Sequence, residues 1–262
     1  MQKTNKIVLT FDVEEFDLPL EYKTFISESE MMAVGKKGLD AITDLIGQNN
    51  IPTTLFTTAH FADQFPDAIK KLSEHHEIAS HTYFHSHFEI QDLITSKQRL
   101  EVITGKDVVG LRMPRFKKVD IEEIKKAGYQ YDSSINPFWL PGRYNNLHLP
   151  KKIYTDSGLL RVPITVSPQL RIPLFWLAFK NFPLAIYKSL ALKALKNYGY
   201  INLYFHPWEF TPLDKYPLPS SIKKDSGERM LNKLNELISF LKNNGEFLTM
   251  KDLVDEERLR NF

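Results

Sequence analysis

The chain has 262 residues, of which 42% are hydrophobic and 25% charged, a balance that supplies a sizeable core and excludes disorder, collagen and coiled coil. Its 34 Lys and Arg against 32 Asp and Glu leave a formal charge of +2, too small for the electrostatic attraction that nucleic-acid binding needs. There is no cysteine, which removes disulfides, thiolate metal sites and a cysteine nucleophile, and any metal must be held by His and carboxylate.

Short apolar runs alternate with segments of helical periodicity, the pattern of repeated βα units around a mainly parallel sheet or barrel. Residues 7–13 read as the first strand, and 38–49 as a helix with Leu39, Ile42, Leu45 and Ile46 on one face. Residues 53–58 form the second strand, 66–75 its helix, 77–81 the third strand and 90–104 the third helix. A fourth strand at 108–111 precedes a helix at 120–127, with Asp120 at its N-cap and Gly128 as its stop. Strands follow at 129–132, 159–164 and 200–205, then an amphipathic helix at 227–243 and a short last strand at 247–250. No linker rich in Pro, Gly or Ser divides the chain, so a single domain over residues 1–262 is expected, an α/β barrel of seven or eight strands.

The N-terminus enters its first apolar run without the hydrophobic stretch of a secretory signal, and no segment reaches the roughly 18 uncharged apolar residues of a membrane span. A cytoplasmic protein is the expectation. Residues 157–208 contain no acid but six bases, Arg161, Arg171, Lys180, Lys188, Lys193 and Lys196, around an aromatic segment at 172–195. Three readings of that segment stand open: a buried barrel helix with a covering loop, a dimer interface, or a peripheral contact with an anionic membrane.

Ionisable residues gather where the strands end: Asp12, Glu14 and Glu15 after the first, His81 and His85 after the third, Arg112 after the fourth, Asp132 after the fifth, His206 and Glu209 after the seventh. α/β barrels build their active sites at that end. His81 and His85 lie four apart and project on one side if a helix begins there, a spacing that suits one ion. Asp12 and Glu14 share a face of a strand that is ending, and a carboxylate beside two imidazoles leaves an open position for water. The acids Asp12, Glu14, Glu15 and Asp17 crowd one short segment and repel one another unless a cation sits among them, and Glu15 or Asp17 is an alternative to Glu14 as the third ligand.

Five segments in order then resemble those of the polysaccharide deacetylases, carbohydrate esterase family 4, also called the NodB-homology domain. They are Thr10-Phe-Asp-Val-Glu14, His81 to His85, Arg112-Met-Pro-Arg-Phe116, Tyr131-Asp-Ser-Ser134 and Leu203-Tyr-Phe-His-Pro-Trp-Glu209, the last resembling a subgroup that acts on exopolysaccharides or peptidoglycan-like polymers. The resemblance implies a distorted (β/α)7 barrel and metal-dependent removal of N-acetyl groups from an amino-sugar polysaccharide or its precursor. It assigns Asp12 as general base, Glu14, His81 and His85 as metal ligands, Arg112 as the partner that holds Asp12, and His206 as general acid. Asp132 is the first candidate to raise the pKa of His206, with Glu209 second. A backbone amide near Pro114 to Phe116 is the expected oxyanion donor, and Trp208 and Trp139 are expected either to stack on sugar rings or to serve as core. Zinc is the default ion by ligand type, with cobalt, nickel or manganese also accommodated. The alternatives are a metal-independent hydrolase of a small amide on the same fold and a decayed carbohydrate-binding module, with oligomeric state left open.

Overall fold

The computed structural model describes residues 4–140 and 144–260, so the first three residues of the N-terminal reading lie outside the described residues. Its strands are β1 (Lys6–Val13), β2 (Thr54–Thr57), β3 (Glu77–Ser80), β4 (Gly110–Leu111), β5 (Tyr131–Ile135), β6 (Trp139–Leu140), β7 (Tyr144–Asn145), β8 (Tyr154–Asp156), β9 (Leu159–Pro163), β10 (Tyr200–Phe205) and β11 (Glu246–Phe247). The helices are α1 (Leu18–Glu21), α2 (Glu28–Asn49), α3 (Ala59–Gln64), α4 (Pro66–Leu72), α5 (Asp92–Thr104), α6 (Ile121–Lys126), α7 (Trp176–Asn181), α8 (Leu184–Tyr198), α9 (Ser220–Lys223), α10 (Glu228–Lys242) and α11 (Met250–Arg260). Among these residues no helix is long and apolar enough to cross a membrane.

Seven strands run parallel in the order β10-β1-β2-β3-β4-β5-β9, with β8 antiparallel at the end and β11 beside the lower part of β1. The sheet curls into a distorted (β/α)7 barrel. The gap between β9 and β10 is spanned around Asn202, whose N–H donates to Thr165 Oγ1 at 2.7 Å and whose carbonyl accepts from the Thr165 N–H at 3.2 Å.

Alternation along the strands sorts the layers. On β1, Ile7, Leu9, Phe11 and Val13 pack outward under the helices, whereas Val8 belongs to a second cluster with Phe56, Ala79, Tyr131 and Val162. Met250, Leu253 and Val254 of α11 close that inner cluster from below. In phase with Val8, Thr10 and then Asp12 climb the interior toward the other end, so one strand face runs from apolar plug to reactive mouth.

Three boundaries differ from expectation for physical reasons. Helix α2 starts at Glu28, where Ser27 Oγ accepts from the Glu30 N–H at 3.3 Å, and its two internal glycines are contact points: a Cβ on Gly35 would meet the Glu14 carbonyl and one on Gly38 the Pro207 carbonyl. The expected strand at 247–250 stops at Phe247, because Thr249 accepts from the Asp252 N–H at 3.1 Å and starts α11. His81 and His85 do not open a helix but lie on a loop, with Thr82 between them at a φ of 64°.

Candidate metal and catalytic site

β1 carries Asp12 and delivers Glu14 just beyond its end, β3 delivers His81, β4 delivers Arg112 and β10 delivers His206, all to one mouth. The loop after His81 turns back so that the His81 and His85 rings stack, with centroids 5.6 Å apart. Both Nε2 atoms stand 3.2 Å from Glu14 Oε2. The opposite ring nitrogens settle the tautomers: His81 Nδ1 donates to the Arg112 carbonyl at 2.7 Å and His85 Nδ1 to Asp17 Oδ1 at 2.8 Å. In the neutral rings, two Nε2 lone pairs therefore converge on a buried carboxylate oxygen that accepts no hydrogen bond among the described residues. Lone pairs facing a carboxylate repel until a cation lies between them, and carbonyl or carboxylate partners on the far ring nitrogens are the usual support of metal-bound imidazoles. Glu14, His81 and His85 thus fit a divalent ion.

The rival carboxylates are otherwise engaged. Glu15 accepts from Thr58 Oγ1 and from the His85 N–H, each at 2.8 Å, and Asp17 bridges His85 to Arg115 Nη2. Glu14 Oε1 is held by the Trp208 indole N–H at 3.1 Å. Burial pushes the Glu14 carboxyl up, but the charges of His85 and His206 and the contact with His81 outweigh it and hold the group well below the usual carboxylate range. Burial lowers His85 in turn, yet Glu14 and then Asp17 bring it to about 9 in the ion-free protein.

Arg112 is wholly buried and reaches Asp12 Oδ1 at 2.6 Å, Thr10 Oγ1 at 2.8 Å and Ser133 Oγ at 3.0 Å, with its guanidinium 4.0 Å from the Phe56 ring centre. With the Nε–H bond to the Ser133 carbonyl at 3.4 Å, four of its N–H groups are engaged, which fixes it and with it one oxygen of Asp12. Across the mouth, His206 Nε2 lies 4.0 Å from Glu14 Oε1. Its Nδ1 faces Glu209 Oε1 at 3.1 Å, and the same oxygen takes the His206 N–H at 2.7 Å. Burial lowers the His206 pKa, and Glu14 and Glu209 more than reverse this.

Asp132, the first sequence choice for that role, is elsewhere. It lies opposite Arg161 in the β5–β9 register, pairs with Arg161 Nη2 at 2.9 Å and also bonds Ser134. A cross-strand partner occupies it, and the carboxylate on His206 is Glu209, three residues along the same turn.

A cavity of about 280 Å³ opens over these groups, walled by Met113, Phe116, Leu140, Phe175, Trp176 and Tyr204. Sequence reasoning missed Phe175 and Trp176, which sit in the 172–195 segment read only for its overall character. Trp208 is 2% exposed and stacked on His206 at 4.8 Å, so it supports the site from beneath, whereas Trp139 is 58% exposed on the β6–β7 hairpin. Pro114 is buried and has no N–H, and the Phe116 N–H donates to the Met113 carbonyl at 3.0 Å, so neither offers a free amide to the cavity.

The same segment packs α7 and α8 against the barrel, with Phe179, Tyr187, Ala191, Ala194 and Leu195 buried, as the helix reading expects. Its basic residues are mostly spoken for: Arg161 by Asp132, Arg171 by the Pro137 and Leu149 carbonyls, Lys180 by Glu209 and Lys188 by Glu236.

Residues 2–131 match the polysaccharide deacetylase family model. Over 100 residues the chain is 34% identical to the peptidoglycan-N-acetylmuramic acid deacetylase PdaA of Bacillus subtilis, covering 34% of this chain and 38% of that protein's length. Among solved structures, a protein of Mycobacterium smegmatis assigned to the polysaccharide deacetylases superposes with a TM-score of 0.69 at 17% identity, covering 100% of this chain and 93% of the other. PuuE allantoinase gives 0.66 at 16%, covering 97% and 90%. The sequence match thus covers just under half of the chain, and the likeness to these solved structures shows a shared fold over its whole length.

Proposed function

We propose that the protein is a hydrolase that removes N-acetyl groups from an amino-sugar polymer or its precursor, with Glu14, His81 and His85 holding one divalent ion, zinc by default. The observation that carries this reading is the convergence of two oriented Nε2 atoms on the otherwise unpartnered Glu14 Oε2, beside a carboxylate locked by a buried arginine. The family match and the likeness to PdaA support the deacetylase assignment.

An ion held there would polarise the amide carbonyl and acidify a water, the two obstacles in cleaving a poor electrophile. The chain's own groups supply the rest. Asp12, kept in place by Arg112 and lining the cavity, takes the proton of the attacking water. The Arg115 amide donates toward the developing oxyanion. His206 presents Nε2 to the cavity while Glu209 holds Nδ1, and it hands a proton to the departing amine. Phe175, Trp176 and Phe116 exclude water from one side and offer faces to a sugar or its acetyl methyl.

The test is metal content by elemental mass spectrometry together with acetate release from N-acetylglucosamine oligomers before and after chelation. About one zinc-like ion per chain with chelator-sensitive release is the expected result. A metal-free protein that gains no activity on adding zinc or cobalt sinks the reading in favour of a metal-independent amide hydrolase.

A further inference from the structure

The acid-free stretch places one of its bases where no solvent reaches it. Lys180, on α7, is 0% exposed, and its Nζ lies 3.8 Å from Glu209 Oε2, itself on a residue that is 0% exposed. The two oxygens of Glu209 have different duties. Oε1 receives both the backbone N–H and Nδ1 of His206, whereas Oε2 accepts no hydrogen bond among the described residues and faces the ammonium. The ammonium also donates to the Lys224 carbonyl at 3.4 Å, and the charges of Asp225 and Lys233 act on it from nearby. His206, Glu209 and Lys180 form a line from the cavity into the protein.

A buried lysine is costly, and a short apolar helix such as α7 has no structural need for one. A methionine would fill the same volume without the charge. What the ammonium adds is a fixed field on one oxygen of Glu209. Without it the carboxylate keeps its two contacts through Oε1 but leaves a buried Oε2 with no cation to face, and nothing fixes that side of the group. A carboxylate that turns away no longer accepts from Nδ1, and the ring loses the partner that holds it with Nε2 toward the cavity.

We propose that Lys180 is a positioning residue for the reaction, an internal cation that holds Glu209 aimed at His206 so that Nδ1–H stays engaged with the carboxylate and the ring presents Nε2–H to the leaving group. The inference rests on His206 being the proton donor of the proposed deacetylase.

Lys180→Met tests it, compared with wild type on two substrates: an N-acetylglucosamine oligomer, whose amine must be protonated to leave, and 4-nitrophenyl acetate, whose phenolate leaves without a proton. The expected result is a fall in kcat for the amide of about tenfold to a hundredfold, with KM and bound zinc unchanged and ester hydrolysis within about threefold of wild type. An equal loss on both substrates, or no loss on the amide, overturns the proposal. If Lys180→Met does not fold by circular dichroism, Lys180→Gln is read in the same way. A second readout needs no turnover: the downfield proton resonance of His206 Nδ1–H, identified by its absence in His206→Gln, is present in wild type and lost in the Lys180 variant. Its persistence unchanged overturns the proposal even if wild type releases no acetate, in which case the deacetylase reading fails separately.

Discussion

Residues 6–116 reach the mouth of the barrel through consecutive βα units and deliver charge, in Asp12, Glu14, His81, His85 and Arg112. Residues 131–210 reach it through a bulged strand, a hairpin and a long apolar excursion, and deliver rings, in Phe175, Trp176, Tyr204 and His206. The charged half is largely self-supporting, since His81 is oriented by the Arg112 carbonyl and His85 by Asp17, itself paired to Arg115. The second half is joined to it along the β1–β10 and β4–β5 pairings and, at the mouth, through Arg112 on Ser133, the Trp208 indole on Glu14 and the approach of Gly38 to Pro207. On the proposed reading, ion binding falls to the first half and leaving-group and substrate handling to the second, and that division can be broken at chosen places.

The largest effect is expected at His81→Ala. Losing one of three ligands should remove bound zinc and lower kcat/KM by at least about a thousandfold, whereas Trp176→Ala should leave zinc in place and act on turnover and KM alone. Elemental analysis of the two purified variants makes the comparison, and equal zinc loss in both would erase the division between halves. Arg112→Met strikes the same half through stability. It leaves Asp12 buried without its partner and should cost about 3 to 5 kcal/mol, read as a lower urea midpoint, because removing one member of a buried pair strands the other. Gly38→Ala acts on the seam. A Cβ there would sit 1.9 Å from the Pro207 carbonyl oxygen, so α2 or the 207–210 turn must shift, with an expected cost of about 1 to 3 kcal/mol and a fall in kcat without loss of zinc.

Legibility in the sequence follows the same line. The first half has short strands with helical periodicity between them, so its strand ends, and the convergence of Asp12, Glu14, His81 and Arg112, follow from local pattern. Asp132 was misplaced because nothing local announces that β5 pairs with β9 in a register that sets it against Arg161. The HxxxH spacing suggested a helix, but Thr82 at positive φ makes a turn that stacks the two rings just as well. The helix expected at 38–49 begins ten residues earlier, at Glu28, and its Gly35 and Gly38 are the places where a backbone must come close. The aromatic wall was invisible for the opposite reason: in an apolar stretch every ring looks like core, and only the tertiary fold says that Phe175 and Trp176 face the cavity.

A smaller effect sharpens the charged half further. In the ion-free protein His85 sits at about 9 against an unperturbed 6.5, so it holds its proton more tightly folded than unfolded. That stabilisation is complete below pH 6.5 and lost as pH rises through about 9. An ion must displace this proton, so apparent zinc affinity should rise on the order of tenfold per pH unit up to about pH 9, then level, with protons released on binding. Calorimetry in buffers of different ionisation enthalpy counts them, and no released proton at pH 7 would contradict the assignment of His85 as a ligand.

The smallest effect lies farthest from the charges, at Trp139. It stands exposed on the β6–β7 hairpin, next in sequence to Leu140, which lines the cavity, and on the proposed function its ring would meet a sugar beyond the one being deacetylated. An exposed indole that only stacks contributes binding without touching the reacting atoms, and Trp139→Ala should raise KM a few-fold, corresponding to about 1 kcal/mol, for longer oligomers. It should leave kcat, bound zinc and activity on a single N-acetylated sugar as they are. The contrast between long and short substrates is the informative quantity. A chain-length-independent effect would mean that the hairpin acts through the cavity wall at Leu140, whereas no effect at any length would confine substrate contact to the rings within the mouth.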